Sequence, residues 1–332
     1  MKALLSEGPS GPETLVLRDV PVPEPGAGEV RVAVKSCGVN FPDFLIIQDK
    51  YQFKPPRPFA PGAEIAGVVE AVGPKVEGLS VGQRVIGSVL SGGMAEKAIV
   101  QAGRCLPIPD AMPFDEASAF ILTYATSYHA LKQRADLKPG ETLLVLGAAG
   151  GVGLAAVELG RAMGARVVAA VSSEEKLALA LSRGAESGFV YGEAPADKDA
   201  SKAMADAFKA ACGEGGADVI YDPVGGAYAE PALRSIAWEG RYLVVGFPAG
   251  IPRLPLNLTL LKSCQVVGVF WGGFVARDPA TSARNNAELL DLYAKGVIRP
   301  HVSERYPLER GGEAIRRLAD RGAQGKLVVT LP

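Results

Sequence analysis

The sequence predicts an α/β protein with two domains, a small β-barrel and a doubly wound parallel sheet. The chain has 332 residues, of which 48% are hydrophobic, and this is enough apolar material for two cores. Its first part carries short β-branched runs between Gly and Pro residues, whereas its middle alternates apolar strands with helical segments. The two patterns are typical of different architectures and therefore indicate different domains.

The barrel prediction depends on four short runs in the first part of the chain. Each is rich in β-branched residues and is bounded by turn residues. They span residues 29–36, 65–72, 84–89 and 94–100. Helical periodicity is weak in this region, and short strands at such spacing favour a small barrel.

The parallel sheet is predicted from the middle of the chain. Residues 142–146 are continuously apolar, as expected of a strand buried on both faces, and residues 151–163 have the pattern of a helix. A second strand at 166–171 and a second helix at 174–183 repeat this order. Shorter apolar runs follow at 188–191, 219–221, 242–245 and 266–270. Such alternation predicts parallel strands joined by right-handed crossovers.

The end of the chain is expected to return to the barrel. Two helical segments after residue 285 precede a last apolar strand at 326–331, and chain ends often meet. We therefore predict a barrel domain formed by residues 1–120 and 270–332. Residues 121–269 would form an inserted domain that carries the parallel sheet, and such sheets bind ligands where their strand order reverses.

Charge and apolar patterning exclude several classes of partner. The formal net charge of −1 is too balanced to favour nucleic acid or a membrane surface as a partner. No run reaches the roughly 18 apolar residues of a membrane span. The N-terminal segment has no apolar stretch typical of a secretory signal, so a cytoplasmic location is expected.

Cysteine and histidine are too few and too scattered to suggest a metal centre. The four cysteines form no CxxC pair, and the two histidines form no HExxH arrangement. They are Cys37, Cys105, Cys212, Cys264, His129 and His301. Reduced thiols and no bound metal are therefore expected.

The strongest motif is a glycine-rich turn at residues 147–153, between the first apolar strand of the middle region and its helix. Glycines there let the backbone approach a pyrophosphate, and the start of the helix offers free N–H groups and a positive dipole. Ala148 occupies one of the usual glycine positions, so the match is imperfect. We assign pyrophosphate binding to Ala149, Gly150, Gly151 and Val152.

The end of the second strand indicates NADPH rather than NADH. An NAD site usually places Asp or Glu there to bind the ribose hydroxyl. This chain has Ser172 and Ser173 instead, followed by Lys176, which suit a 2′-phosphate. The alternative is that a serine only caps the next helix and that Lys176 is solvated.

Several motifs along the whole chain resemble one family. They are Cys-Gly-Val-Asn-Phe-Pro-Asp at 37–43, Pro-Gly-Ala-Glu-Ile-Ala-Gly-Val-Val at 61–69, Val-Gly-Gln-Arg-Val at 81–85, Leu-Thr-Tyr-Ala-Thr-Ser-Tyr at 122–128, Asp-Pro-Val-Gly at 222–225 and Gly-Lys-Leu-Val-Val at 325–329. Together with the glycine turn they resemble the medium-chain dehydrogenase/reductase superfamily, in its zinc-free quinone oxidoreductase (ζ-crystallin-like) branch. The resemblance implies a GroES-like barrel and a Rossmann domain.

Departures from the zinc-dependent members are equally informative. Those members have Cys where this chain has Asn40, and His where it has Ala63. Catalytic zinc needs about three protein ligands, which this chain does not offer at those positions. The resemblance therefore implies zinc-free reduction of an activated acceptor rather than alcohol oxidation.

The resemblance also implies further cofactor-binding residues. Lys176, Tyr191 and Arg321 match positions that contact NADP in this branch, and residues 268–273 match the strand and loop that pass the nicotinamide. We accordingly add to the cofactor-binding set Tyr191, Gly246, Phe270, Trp271, Gly272 and Arg321. The alternatives are a packed aromatic for Tyr191, a surface ion pair for Arg321 and plain core for Trp271.

Without a metal, polar side chains must stabilise charge on the acceptor. Hydride addition to a quinone or enone builds negative charge on the carbonyl oxygen, and hydrogen-bond donors there lower the barrier. The candidate catalytic residues are Asn40, Asp43, Tyr51 and Thr126, all of which lie in segments that resemble those lining the cleft in this family. Alternatively, Asn40 only stabilises a turn, and Asp43 positions Asn40 or Tyr51 rather than taking part in the chemistry. Thr126 could be an ordinary helix residue.

Three functions follow from these residues. The first is NADPH-dependent quinone reduction. The second is reduction of the C=C bond of an enoyl thioester or enal, with Tyr51 as proton donor. A CoA substrate would place its phosphates near Lys50, Lys54 and Arg57, for which the alternative is a solvated loop. The third is a non-catalytic NADPH-binding protein, as among lens crystallins.

A homodimer is also expected. Residues 263–271 form a long apolar run with no charge, predicted to be the edge strand of the Rossmann sheet. An exposed edge of this kind pairs readily with a second copy across a two-fold axis. A loop or helix covering the strand would instead leave a monomer.

Overall fold

The computed structural model describes all residues from Met1 to Pro332 and divides them into two compact units. The first unit contains Met1–Leu122 and Pro300–Pro332, and the second contains Thr123–Arg299. The strands are β1 (Lys2–Leu5), β2 (Val16–Asp19), β3 (Glu29–Gly38), β4 (Glu64–Val72), β5 (Arg84–Ser88), β6 (Lys97–Gln101), β7 (Cys105–Pro107), β8 (Thr142–Leu146), β9 (Arg166–Val171), β10 (Ser187–Val190), β11 (Ala217–Asp222), β12 (Ile236–Val244), β13 (Gln265–Gly268), β14 (Val302–Pro307) and β15 (Lys326–Thr330).

The helices lie mostly in the second unit. They are α1 (Phe41–Ile46), α2 (Phe114–Ala117), α3 (Thr126–Tyr128), α4 (Gly151–Ala162), α5 (Glu174–Ser182), α6 (Lys198–Cys212), α7 (Ala229–Arg234), α8 (Asn257–Lys262), α9 (Trp271–Arg277), α10 (Pro279–Ala294) and α11 (Gly311–Ala319). Two π-helical segments, Ile121–Ala125 and His129–Arg134, flank α3. None of the helices is long and apolar enough to cross a bilayer.

The first unit is built on a seven-stranded sheet. Its order is β14-β15-β3-β4-β5-β7, and β6 also pairs with β3. Side chains of β3 alternate between buried and half-buried positions along most of the strand, which is the period of two that one buried face requires. The buried face packs a core that includes Val30, Val32, Ile65 and Val85. β15 pairs antiparallel with β3, so the last strand completes this sheet.

The second unit is a six-stranded sheet in the order β10-β9-β8-β11-β12-β13. Every neighbouring pair is parallel, as the alternation of strand and helix predicts. The order reverses between β8 and β11, which is the point at which such sheets bind nucleotides. This confirms the doubly wound architecture expected from the sequence.

The second domain boundary predicted from the sequence needs correction. It was expected at residue 270, but α9 and α10 belong to the second unit, which ends at Arg299. Contacts of α10 explain this, because Tyr128 Oη donates to Glu288 at 2.5 Å and Gln133 Nε2 donates to Asn285 Oδ1 at 3.1 Å. The predicted strand at 263–271 is also shorter, because β13 ends at Gly268 and α9 begins at Trp271.

Candidate functional site

The glycine turn joins β8 to α4 by a close approach of two backbone segments. Gly147 has a positive φ of 56°, which favours glycine. A Cβ on Gly153 would lie 2.2 Å from the carbonyl oxygen of Gly147, so only glycine fits where the helix passes the turn. Gly150 is extended and precedes the first residue of α4. The sequence therefore folds into a shape in which backbone N–H groups at the start of a long helix lie at the end of a buried strand.

Two buried hydroxyl groups support this turn, and sequence reasoning missed both. Ser127 Oγ donates to the carbonyl oxygen of Val152 at 3.0 Å and shares a hydrogen bond of 2.8 Å with Tyr221 Oη. Both side chains are buried. Ser127 lies in one of the family motifs, but its partner is almost a hundred residues away, and spacing along the sequence does not reveal such a pair.

Asp222 fixes the neighbouring turn after β11. Its Oδ1 accepts the N–H groups of Val224 at 2.8 Å and Gly225 at 2.9 Å, and Oδ2 accepts the hydroxyl of Tyr242. Burial raises the pKa of Asp222, although these three hydrogen bonds oppose the shift. The carboxylate thus holds the loop whose Val224 side chain packs close to Gly147.

The serines and the lysine at the end of β9 lie together. Ser173 Oγ accepts the backbone N–H of Lys176 at 3.4 Å and caps α5, while Lys176 Nζ donates to Ser172 Oγ at 3.0 Å. Ser173 therefore does cap α5, and the Lys176 ammonium lies beside the exposed Ser172 hydroxyl. Tyr191 follows β10, where its N–H donates to Val171 O at 2.9 Å and its ring is 5.0 Å from that of Tyr228.

The remaining cofactor candidates are more widely placed. Gly246 follows β12, and its N–H reaches the carbonyl oxygen of Asp222 at 3.4 Å. Phe270 precedes α9 and is exposed, while Trp271 and Gly272 are the first residues of that helix. Arg321 lies in the first unit and has a positive φ of 57°. Thr126, proposed as catalytic, is half-buried in the second unit between the two π-helical segments.

In the first unit, Asn40 and Asp43 meet at the start of α1. Asp43 Oδ2 accepts the backbone N–H of Asn40 at 2.8 Å, and Oδ1 accepts that of Gly62 at 3.0 Å. The Asp43 carboxyl is buried, and burial raises its pKa to about 6 against the opposing effect of both N–H groups and of Lys326. Asp43 therefore fixes the backbone that carries Asn40.

Two further charged residues complete this group, and neither was predicted as a site residue. Lys326 Nζ donates to Asn40 Oδ1 at 2.6 Å and to Val39 O at 3.0 Å, and lies 3.6 Å from Glu64 Oε2. Glu64 accepts the Leu122 N–H at 2.9 Å and the Asn40 amide at 3.3 Å. We call Asn40, Glu64 and Lys326 the buried polar triad, since all three are buried. The sequence did offer one signal for both residues, namely an ionisable side chain within an otherwise apolar strand motif.

Tyr51 lies near this group and is half-buried against the core of the first unit. Burial raises the pKa of its phenol, and the charge of Asp43 raises it further. The hydroxyl therefore keeps its proton at neutral pH. It can donate a hydrogen bond, but it is a weaker acid than an ordinary tyrosine.

The donor set around Asn40 does not suit zinc. No three His, Cys, Asp or Glu side chains converge anywhere in the chain. Burial raises the pKa of the nearby Cys37 well above its usual value, which disfavours the thiolate that binds metals. The Lys326 ammonium already contacts both Asn40 and Glu64, and it would repel a second cation.

Fold and glycine turn together define a class, namely two-unit oxidoreductases with a barrel-like unit and a dinucleotide-binding sheet. The family models agree, since "Alcohol dehydrogenase GroES-like domain" matches residues 26–110 and "Zinc-binding dehydrogenase" matches residues 151–290. The chain belongs to the medium-chain dehydrogenase/reductase superfamily, in its quinone oxidoreductase-like branch, as the sequence motifs predicted. The protein is an oxidoreductase of that family.

Relatives cover nearly the whole chain. Quinone oxidoreductase-like protein 2 homolog of Nematostella vectensis is 39% identical over 92% of this chain and 82% of its own length. Quinone oxidoreductase of Homo sapiens is 33% identical over 97% and 95%. Among solved structures, the quinone oxidoreductase of Thermus thermophilus, described also in complex with NADPH, has a TM-score of 0.85 and 36% identity over all of both chains. The Escherichia coli quinone oxidoreductase complexed with NADPH has a TM-score of 0.90 and 28% identity, also over all of both chains.

The raised pKa of Asp43 predicts a pH dependence of stability. Since the folded protein holds this proton up to about pH 6 and the unfolded chain releases it near 3.8, stability falls as pH rises between these values. The shift corresponds to about 3 kcal/mol. Asp43→Asn removes the titration, so the free energy of unfolding of wild type relative to the variant should fall from pH 4 to pH 6 and level off above it. Urea denaturation at each pH measures the difference, and a difference independent of pH would contradict the prediction.

Proposed function

We propose that the protein reduces quinones with NADPH as hydride donor and without a zinc ion. The observation that carries this proposal is the buried polar triad, in which the Lys326 ammonium holds the Asn40 amide. A zinc ion would need three ligands, and this group does not offer them. The names of the quinone oxidoreductase relatives support the same substrate class.

The second unit offers the groups that NADPH requires. The close-packed glycine turn and the start of α4 suit a pyrophosphate, to be bound by the backbone of Ala149, Gly150, Gly151 and Val152. Lys176 and the hydroxyls of Ser172 and Ser173 would hold the 2′-phosphate. NADPH in the solved Thermus thermophilus and Escherichia coli relatives supports this choice. Tyr191, Gly246, Phe270, Trp271, Gly272 and Arg321 remain proposed cofactor contacts.

In the reaction, the bound cofactor would supply the hydride, and the chain would stabilise the charge that forms on the acceptor. Asn40 is the proposed donor to the carbonyl oxygen. Asp43 holds the backbone of Asn40 through its N–H group. Tyr51 retains a phenol proton that can be donated to the reduced oxygen, and Thr126 is a further proposed donor.

We favour a quinone over a CoA thioester because two of the three basic residues near Tyr51 already have hydrogen-bond partners. Of the three basic residues near Tyr51, Arg57 is engaged by Asp49 at 2.8 Å and by the carbonyl oxygen of Ile47 at 3.0 Å. Lys50 donates to Gln48 at 2.7 Å. These contacts engage two of the three cations that could otherwise bind a CoA phosphate.

The direct test is oxidation of NADPH, followed by the loss of the absorbance of the reduced nicotinamide. We expect faster turnover with 1,4-benzoquinone than with crotonyl-CoA, because a quinone needs only donors to its oxygens. Faster turnover with crotonyl-CoA would replace the quinone proposal by C=C reduction. No turnover with either would favour a non-catalytic NADPH-binding protein.

Lys176→Ala should separate the two nicotinamide cofactors. The cap of α5 survives because Ser173 accepts the backbone N–H of residue 176, so only the ammonium is lost. A charge-assisted phosphate contact contributes about 1.5–3 kcal/mol, so the KM for NADPH should rise roughly tenfold or more while that for NADH stays nearly constant. Steady-state kinetics with both cofactors checks this, with Lys202→Ala on α6 as the exposed-lysine control. Equal changes for both cofactors would remove Lys176 from the phosphate site.

We further propose that two copies associate through the edge strand β13. This strand has one unpaired side, and Val266 on it is 41% exposed. The preceding helix α8 adds Leu260, which is 81% exposed, and Leu261. Apolar side chains of this size along an unprotected strand favour pairing with a second copy across a two-fold axis.

Charge placed on this surface should prevent the association. Leu260→Lys and Val266→Lys together should convert a dimer to a monomer, because two lysines would be desolvated on each side of the two-fold axis. Light scattering at micromolar concentration measures the mass. Val81→Lys in the first unit, where Val81 is 65% exposed, is the matched control and should leave the mass unchanged. A wild-type protein that scatters as a monomer would disprove the dimer.

A further inference from the structure

Lys326 is a charged residue in a place where charge is costly. It begins β15, a strand otherwise made of buried apolar residues and one threonine, and its side chain is only 5% exposed. A buried ammonium is tolerated when its hydrogen bonds and its charge are matched. The carbonyl oxygen of Val39, the amide oxygen of Asn40 and the carboxylate of Glu64 provide that match.

The ammonium determines which way the Asn40 amide faces. A carboxamide has an oxygen that accepts and a nitrogen that donates, and the two exchange places when the group rotates by half a turn. Lys326 donates to Oδ1 at 2.6 Å, so rotation would bring an NH₂ group against an ammonium. The orientation with Nδ2 directed away from Lys326 is therefore fixed.

The nitrogen, in contrast, is held loosely. Nδ2 reaches Gly38 O and Glu64 Oε2 at 3.3 Å each, beyond the usual range of about 2.7–3.2 Å for such bonds. A weak bond is readily exchanged for a shorter one to an incoming acceptor. Charge-assisted donation to Oδ1 also polarises the amide, which makes its N–H groups stronger donors.

We propose that Lys326 is a positioning residue, an internal cation that keeps Asn40 as an obligate hydrogen-bond donor to the carbonyl oxygen of the acceptor. Lys326 does not touch the acceptor and acts only through Asn40. This proposal rests on the proposed function, because it assigns Asn40 to the oxygen on which charge builds. It also defines the ligand class, since Asn40 can bind an acceptor oxygen but offers nothing to a group that only donates.

The choice of test variant depends on Glu64. Replacing Lys326 alone would leave a buried carboxylate without its cation, which is strongly destabilising and endangers folding. The double variant Lys326→Met/Glu64→Gln removes both charges and keeps an acceptor for the Leu122 N–H. In it, the NH₂ group of the new glutamine faces Asn40, so the Asn40 amide is expected to turn its oxygen toward that group.

The double variant should melt within a few degrees of wild type yet turn over slowly. Loss of one preorganised donor lowers kcat by about a hundredfold or more, and a misoriented donor should cost roughly tenfold to a hundredfold with 1,4-benzoquinone. The KM for NADPH should stay constant. Lys35→Met is the matched control, because that lysine of β3 lies outside the triad and donates to Pro332. A double variant with wild-type kcat would overturn the proposal.

A mutant cycle covers the case in which the double variant is destabilised. In an Asn40→Ala background, Lys326→Met/Glu64→Gln should lower kcat no further, because Lys326 would act only through Asn40. A purely structural role would instead multiply the two losses, and that outcome would overturn the positioning role.

A binding measurement distinguishes failure of this proposal from failure of the proposed function. Duroquinone can be titrated against NADP⁺-saturated protein, where no turnover is possible. If wild type reduces no quinone, the proposed function fails, and the positioning role is judged on this titration alone. Weaker binding by the double variant and by Asn40→Ala, to the same degree, would support it. Equal binding by wild type and the double variant would refute it.

Discussion

The antiparallel pairing of β15 with β3 is the constraint on which the first unit depends. Val328 lies opposite Gly38, and on the other side of β3 the same glycine lies opposite Glu64 of β4. This double register brings residues from two neighbouring strands to the point where β3 ends and α1 begins. Any slip by one residue would turn the side chain of Lys326 to the other face of the sheet. The position of one ammonium therefore follows from the backbone pairing of β15 with β3.

The two units use opposite physical means to prepare for a ligand. The second unit relies on backbone geometry, because its turn is defined by the close approach of Gly153 to Gly147 and by an Asp222 carboxylate that binds N–H groups. The first unit relies on buried charge, because two carboxyl groups and one ammonium lie close together among buried residues. Backbone sites tolerate many side-chain changes nearby, whereas buried charges require every partner to be present.

Periodicity was sufficient to predict the fold class, because long apolar strands and helices carry strong local signals. It was insufficient for the buried polar triad, since Lys326 and Asn40 are 286 residues apart and meet only through strand register. The predicted domain boundary at residue 270 was wrong for a similar reason. Contacts between distant parts of the chain assign α9 and α10 to the second unit. Phe274 of α9 stacks on His129, and Glu288 and Asn285 of α10 bond to the segment around Tyr128. Asn40 and Asp43 were found because they are neighbours in sequence as well as in space.

The interrupted course of the first unit has a consequence for biosynthesis. A ribosome produces the whole second unit as one uninterrupted stretch before it reaches β14 and β15. That stretch can condense around its own parallel sheet as soon as it emerges, whereas the N-terminal strands must wait for their final neighbour. Until then the end of β3 that pairs with β15, residues 36–38, has an open side, and Glu64 lacks Lys326 as its counter-ion. The first unit is therefore the first to be synthesised and the last to be completed. A chaperone would protect the nascent chain most during the interval before β15 is made.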